Sequence, residues 1–307
     1  MRAASQTVRD LPVLGVAVVW GSSFLAVKHL ATPDTVVSML VLRFGLVLPL
    51  LALVAWRALR RLSVREWLGG AALGGILGAI FLLETYGAVL TKATNAGLII
   101  SLTMVFTPLA ESAVRRTALP RAFLAAAGLS VLGVALLGLR APTPGDLLVL
   151  GAAVVRTVHV LTMSRTRAIR GTDSLALTWV QLAAATLVFA VVAPFSGSSP
   201  LALAASYGPS QWALLLHLTL LCTLFAFFVQ MWAVRATSPS RVSLLLGTEP
   251  LWAAVFGIAL GGDRLSTLAL LGALLVLVGT EWGRRAAGPA PAAESMTEAV
   301  TASPEPA

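Results

Sequence analysis

Residues 11–28 read LPVLGVAVVWGSSFLAVK, a segment whose one charged side chain is at its last position. A helix crosses the hydrocarbon core of a bilayer with about 20 mainly apolar residues. Arg2 and Arg9 precede this run, as basic residues do in a signal peptide, but similar apolar runs continue to residue 283. We therefore interpret residues 11–28 as a retained transmembrane helix.

Ten apolar runs of spanning length occur along the chain. The sequence is 58% hydrophobic and 11% charged, whereas about a quarter of the residues of a soluble domain are charged. The prediction is an all-α membrane protein of ten transmembrane helices, with no large soluble domain. The predicted spans are 11–28, 35–56, 67–90, 95–114, 121–139, 146–164, 174–195, 211–234, 242–260 and 265–283.

The basic residues divide unequally between alternate loops. Of the 22 Lys and Arg residues, sixteen fall on the side of the N-terminus, four on the opposite side, and two, Arg43 and Arg156, inside spans. Cytoplasmic loops carry an excess of such residues, so both termini are predicted to be cytoplasmic, in the inner membrane of a bacterium. The bases form short clusters between apolar runs and not one polar face, which argues against nucleic-acid binding despite the net charge of +9.

Short segments of the first half recur, in the same order, in the second half. The matched segments are 14–19 with 150–155, 92–94 with 235–237, and 107–109 with 249–251. A repeat of five spans is odd, so its second copy must enter the membrane from the opposite face, which gives two inverted repeats. The predicted parts are a cytoplasmic N-terminus (1–10), a first repeat (11–140), a second repeat (141–285) and a disordered cytoplasmic tail (286–307).

The repeat also carries a resemblance to a known family. The segment Trp20-Gly21-Ser22-Ser23-Phe24, the pair Arg43-Phe44, and the spans containing Pro108 and Glu249-Pro250 resemble the EamA family of the drug/metabolite transporter superfamily. The resemblance covers residues 11–285 and implies two inverted five-helix repeats around a central cavity. It also implies export of amino acids, related metabolites or toxic compounds, commonly coupled to protons. Arg156 departs from the family, which usually keeps an apolar or aromatic residue at that position, so the substrates of better-known relatives do not transfer.

The charged residues inside spans are the candidates for a substrate site. A charge at the bilayer centre costs about 2.5 to 3.5 kcal/mol, so each such residue is expected to face a cavity or a partner. In one interpretation Arg156 holds an anionic substrate group; in the other it neutralises Glu249 or Glu84, and the sequence leaves both open. A structural network is the favoured role of Arg43. The candidate substrate-binding residues are Arg156, Thr157, His159, Glu249, Trp20 and Ser23.

Three of the titratable residues are candidates for proton coupling: Glu249, Glu84 and His159. For Glu84 the favoured alternative is snorkelling or pairing with Lys92, and for His159 it is packing. Pro108 and Pro250 are predicted to kink their helices, because proline removes one backbone donor.

The sequence favours transport over other functions. Its single cysteine, Cys222, can form neither a disulfide framework nor a cysteine metal site, and no cofactor or metal site is predicted. No nucleophile and base in register indicate a hydrolase. The predicted function is a secondary active exporter of a small metabolite, with a small-molecule substrate, protons and the lipid bilayer as partners. An importer or translocase of a phosphorylated lipid carrier, and a membrane sensor or assembly protein, are the alternatives; monomer and homodimer are both open.

Overall fold

The computed structural model describes residues 2–138, 142–169, 171–236, 245–264 and 267–286, and every regular element in these ranges is helical. Two single turns of 3₁₀-helix, Arg167–Ile169 and Ala193–Phe195, and one π-helical segment, His217–Phe225, accompany the α-helices. The α-helices are α1 (Arg2–Leu30), α2 (Val36–Leu59), α3 (Val64–Leu90), α4 (Ala93–Ile100), α5 (Thr103–Arg115), α6 (Arg121–Gly138), α7 (Pro144–Arg165), α8 (Ser174–Val192), α9 (Pro200–Ser206), α10 (Pro209–Leu216), α11 (Ala226–Ala236), α12 (Glu249–Ala259) and α13 (Thr267–Ala286). From residue 287 onward the predicted tail lies outside the described residues.

Seven helical stretches of the described residues are long and apolar enough to cross a membrane. They are Leu11–Leu30, Val36–Leu59, Val64–Leu90, Ala93–Arg115, Pro144–Arg165, Ser174–Phe195 and Pro209–Gln230. Three shorter apolar helices, Arg121–Leu136, Glu249–Ala259 and Leu270–Gly283, coincide with the other predicted spans. The all-helical membrane fold is confirmed, while the total of ten crossings stays a prediction because these three helices are short.

Two of the predicted spans are broken where the sequence suggested continuous helices. The fourth span turns at Ser101, between α4 and α5, where the Ser101 hydroxyl donates to the Leu98 carbonyl oxygen at 2.6 Å. Such side-chain bonds compete with the helical backbone pattern. Pro108 lies seven residues further on, inside the continuous helix α5.

The ninth span breaks at a turn over residues 247–248, and Glu249 then begins α12. Pro250 is therefore in the first turn of a helix, where its missing N–H removes no intrahelical bond. The sequence predicted a kink of a continuous helix at Pro250; that prediction is wrong, since the helix starts afresh just before the proline.

The contacts between helices keep the same pattern when the two halves are exchanged. Helix α3 packs on α7, and α1 packs in the corresponding way on the segment from α10 to α11. Likewise α1 packs on α12, and α7 packs on α4 and α5. In three further pairs a helix contacts its counterpart in the other half. These pairs are α2 with α8, α4 with α12 and α6 with α13. Two similar halves that enclose a common interior account for this pattern.

Hydrogen bonds link five helix ends at one end of the bundle. Asp146, in the first turn of α7, accepts a bond of 2.5 Å from the Thr91 hydroxyl, just after α3. Lys28, near the end of α1, donates to the Thr91 carbonyl oxygen at 2.5 Å. Asp263, after α12, accepts a bond of 3.0 Å from the Thr94 amide at the start of α4. These bonds close the end that the distribution of bases predicts to face away from the cytoplasm.

Candidate functional site

An ion pair joins the two halves of the protein near the middle of the bundle. The guanidinium of Arg156 on α7 donates from Nη2 to the Glu84 carboxylate on α3, and the two side chains are 37% and 18% exposed. Of the two interpretations of Arg156, the structure shows the pairing with Glu84. Lys92 donates instead to the Arg264 carbonyl oxygen at 2.8 Å, so the predicted pairing of Glu84 with Lys92 is wrong.

Glu249 adds a second carboxylate to this pair. It is half-buried at the start of α12, and the charges of both Arg156 and Glu84 act on it. Within the described ranges the Glu249 carboxylate has no hydrogen bond or salt bridge. The Glu249 carboxylate thus lies in electrostatic range of the ion pair that joins α3 to α7, without contacting it.

Thr157 and His159 use their polar atoms elsewhere. The Thr157 hydroxyl donates to the Ala153 carbonyl oxygen of its own helix at 3.0 Å. His159 is 8% exposed, and its Nε2 lies 2.7 Å from Oε1 of Gln181 on α8. His159 therefore packs between α7 and α8, which is the alternative favoured at the level of sequence.

Trp20 and Ser23 also bond within the protein. The indole Nε1 of Trp20 donates to the Cys222 carbonyl oxygen at 2.8 Å, and the Ser23 hydroxyl donates to the Trp20 carbonyl oxygen at 2.7 Å. Between them, Gly21 lies against α12, where a Cβ would be 2.6 Å from the Cβ of Trp252. This segment holds α1 against α12 and the π-helical segment, and the Trp20 ring remains partly exposed.

A polar cluster on the π-helical segment was not among the site residues predicted from the sequence. His217 Nε2 lies 2.9 Å from Ser22 Oγ on α1 and 3.4 Å from Cys222 Sγ. Residues five apart lie on different faces of an α-helix, and the wider turn of the π-helix brings His217 and Cys222 onto one face. Because periodicity does not mark a π-helix, no sequence signal could have found this cluster. The described residues contain no group of three or more His, Cys, Asp or Glu side chains that could hold a metal ion.

Apolar helices of spanning length around charged residues define a multi-pass membrane protein. Residues 9–139 and 143–281 each match the EamA-like transporter family, and the chain belongs to this family, as the resemblance predicted. An uncharacterized transporter of Archaeoglobus fulgidus is 27% identical over 272 residues, which cover 85% of this chain and 92% of the relative. A crystal structure that is 18% identical superposes with a TM-score of 0.60 over 92% of this chain and 98% of its own, and it shares the fold. The protein is a membrane transporter.

Proposed function

We propose that the protein is a secondary active transporter that exports a small metabolite across the bacterial inner membrane by alternating access. The observation that carries this proposal is the ion pair between Arg156 and Glu84, which joins α7 of one half to α3 of the other, with Glu249 of α12 in electrostatic range of both. In the proposed topology the halves are inverted five-helix repeats, both termini are cytoplasmic, and the halves rock about this group.

The exposure of the ion pair supports a water-accessible chamber. An ionised group in hydrocarbon is costly, and a paired one still benefits from contact with water. Arg156 and Glu84 keep 37% and 18% of their side-chain surface exposed, although they bond to each other between packed helices. A chamber between the halves accounts for that exposure and offers a polar substrate a path through the bilayer.

Glu249 has the features of a proton-coupling residue. It has no fixed partner among the described residues, so protonation would break no existing bond. It also lies in the first turn of α12. Opposing influences of Arg156 and Glu84 act on the same group. A conformational change that alters either distance would change the proton affinity of Glu249.

The experiment is transport in proteoliposomes loaded with labelled L-amino acids, with and without a pH gradient. We expect flux that the gradient accelerates, and we expect Glu249→Gln to remove the acceleration. The matched control is Glu111→Gln, because Glu111 is a partly exposed carboxylate that pairs with Arg115 at 2.9 Å on the surface of α5. If the flux through the wild type is the same with and without the pH gradient, proton coupling is refuted. If none of the amino acids is transported, amino acids are refuted as the substrate class.

A further inference from the structure

Arg43 is a buried guanidinium with few of its donors satisfied. The residue lies in α2 and is 8% exposed. Arginine stays charged in proteins and has five N–H donors. Its Nη2 makes one long bond, 3.5 Å to Thr223 Oγ1, and its Nε has no partner among the described residues. A buried cation in this condition lacks an acceptor.

The polar groups near Arg43 already have other partners. The hydroxyl of Thr223 donates its own proton to the Leu218 carbonyl oxygen at 2.9 Å. His217 interacts electrostatically with Arg43, and its Nε2 is hydrogen-bonded to Ser22 and Cys222. The Glu84 carboxylate, which also interacts electrostatically with Arg43, is bonded to Arg156.

Two aromatic rings lie beside the guanidinium of Arg43. The carbon Cζ of Arg43 lies 5.0 Å from the ring centroid of Phe44 and 5.7 Å from that of Phe81. Both rings contribute cation–π attraction and offer no hydrogen-bond acceptor. A planar group with two oxygens matches the Nε and Nη edge, as in the bidentate pairs of arginine with carboxylates.

We propose that Arg43, and not Arg156, binds the carboxylate of the transported substrate. This inference rests on the proposed transport function. The carboxylate accepts from Nε and Nη2 of Arg43 and replaces the long bond to Thr223. Arg156 has little capacity for the same role because Glu84 already neutralises it. The assignment differs from the structural network that the sequence favoured for Arg43, and it takes the ion-pair role of the two that the sequence left open for Arg156.

The test compares the binding of amino acids and of their amides, which lack the carboxylate, to the purified protein. Thermal unfolding, followed by tryptophan fluorescence, is measured with each of the twenty L-amino acids and with the corresponding amino acid amide. The wild type is compared with Arg43→Gln, Arg43→Lys and Arg156→Gln. Arg60→Gln is the matched control, because Arg60, directly after α2, lies 5.7 Å from the Trp56 ring on that helix but is exposed. Size-exclusion profiles establish that each variant is folded.

We expect at least one amino acid to bind the wild type about tenfold more tightly than its amide, which corresponds to about 1.4 kcal/mol. Arg43→Gln should reduce this preference to less than about twofold. Arg43→Lys keeps the positive charge but loses the two parallel N–H donors of the guanidinium, so it should retain an intermediate preference. Arg156→Gln and Arg60→Gln should keep the full preference.

Loss of the preference in Arg156→Gln with its retention in Arg43→Gln would overturn the assignment, as would a wild type that never prefers acid to amide. If Arg43→Gln does not fold, the preference for acid over amide in Arg43→Lys is compared with that in Arg156→Gln. A smaller preference in Arg43→Lys supports the assignment, and a smaller preference in Arg156→Gln contradicts it. Binding without flux in proteoliposomes would refute the transport proposal and leave the assignment of Arg43 standing.

Discussion

Removal of either partner of the Arg156–Glu84 pair should destabilise the protein by unequal amounts. Glu84→Gln leaves a guanidinium that cannot lose its charge, whereas Arg156→Gln leaves a carboxylate that can take up a proton. An unpaired charge at the bilayer centre costs about 2.5 to 3.5 kcal/mol. Because Arg156 is 37% exposed, contact with water should reduce this cost for Glu84→Gln to about 2 kcal/mol, and we expect about 1 kcal/mol for Arg156→Gln.

The double variant should cost less than the sum of the two single changes. With both charges removed no unpaired ion remains, so we expect about 1 kcal/mol for the double change and a coupling free energy of about 2 kcal/mol. Glu249 is the nearby carboxylate that could compensate Arg156 when Glu84 is replaced. Glu84→Gln should therefore cost more in a Glu249→Gln background than in the wild type.

The assay is reversible unfolding in bicelles, followed by tryptophan fluorescence, on the wild type and the variants of the cycle. The exposed pair of Glu281 and Arg285, 2.5 Å apart on α13, is the control cycle and should show a coupling below about 1 kcal/mol. Single changes of Arg156 and Glu84 that add to within about 0.5 kcal/mol would contradict the interpretation, because independent sites behave in that way.

Three further changes test the packing and hydrogen bonds around the site. Gly21→Ala should destabilise the protein by about 1 to 3 kcal/mol because its Cβ would overlap Trp252; Gly15→Ala on the same helix meets nothing within 4 Å and should not. Trp20→Phe should cost about 1 kcal/mol through loss of the bond to the Cys222 carbonyl; the Trp252 indole N–H has no partner among the described residues, so Trp252→Phe should lose no such bond. Burial raises the pKa of Tyr207, between α9 and α10, to about 12 from 10.0. The stability due to the neutral phenol should be complete below pH 10 and lost between pH 10 and 12. An equal loss of stability over this pH range in Tyr207→Phe would contradict this account.

The positions of the helices could be predicted because bilayer thickness requires long apolar runs. Segments such as 36–59 and 174–195 follow directly from that requirement. The broken spans could not be predicted in the same way, since hydropathy does not change at Ser101 or at the π-helical segment. That Arg156 and Glu249 fall inside apolar segments is visible in the sequence, and their depth in the membrane stays a prediction. Which side chain Arg156 meets depends on the packing of α3 against α7, and linear spacing cannot supply that information.

The backbone irregularities occur where the candidate site is. Non-helical backbone at membrane depth is tolerated only where protein or water satisfies its polar groups. At the π-helical segment Trp20 satisfies the Cys222 carbonyl oxygen, and the turn over residues 247–248 directly precedes Glu249. In both places the irregular turn exposes a polar group to the interior that a regular helix would bond internally or direct elsewhere. In the proposed transporter these breaks would let an apolar bundle present polar groups to the substrate. Any substitution that restores a regular helix there should impair transport more than it impairs folding.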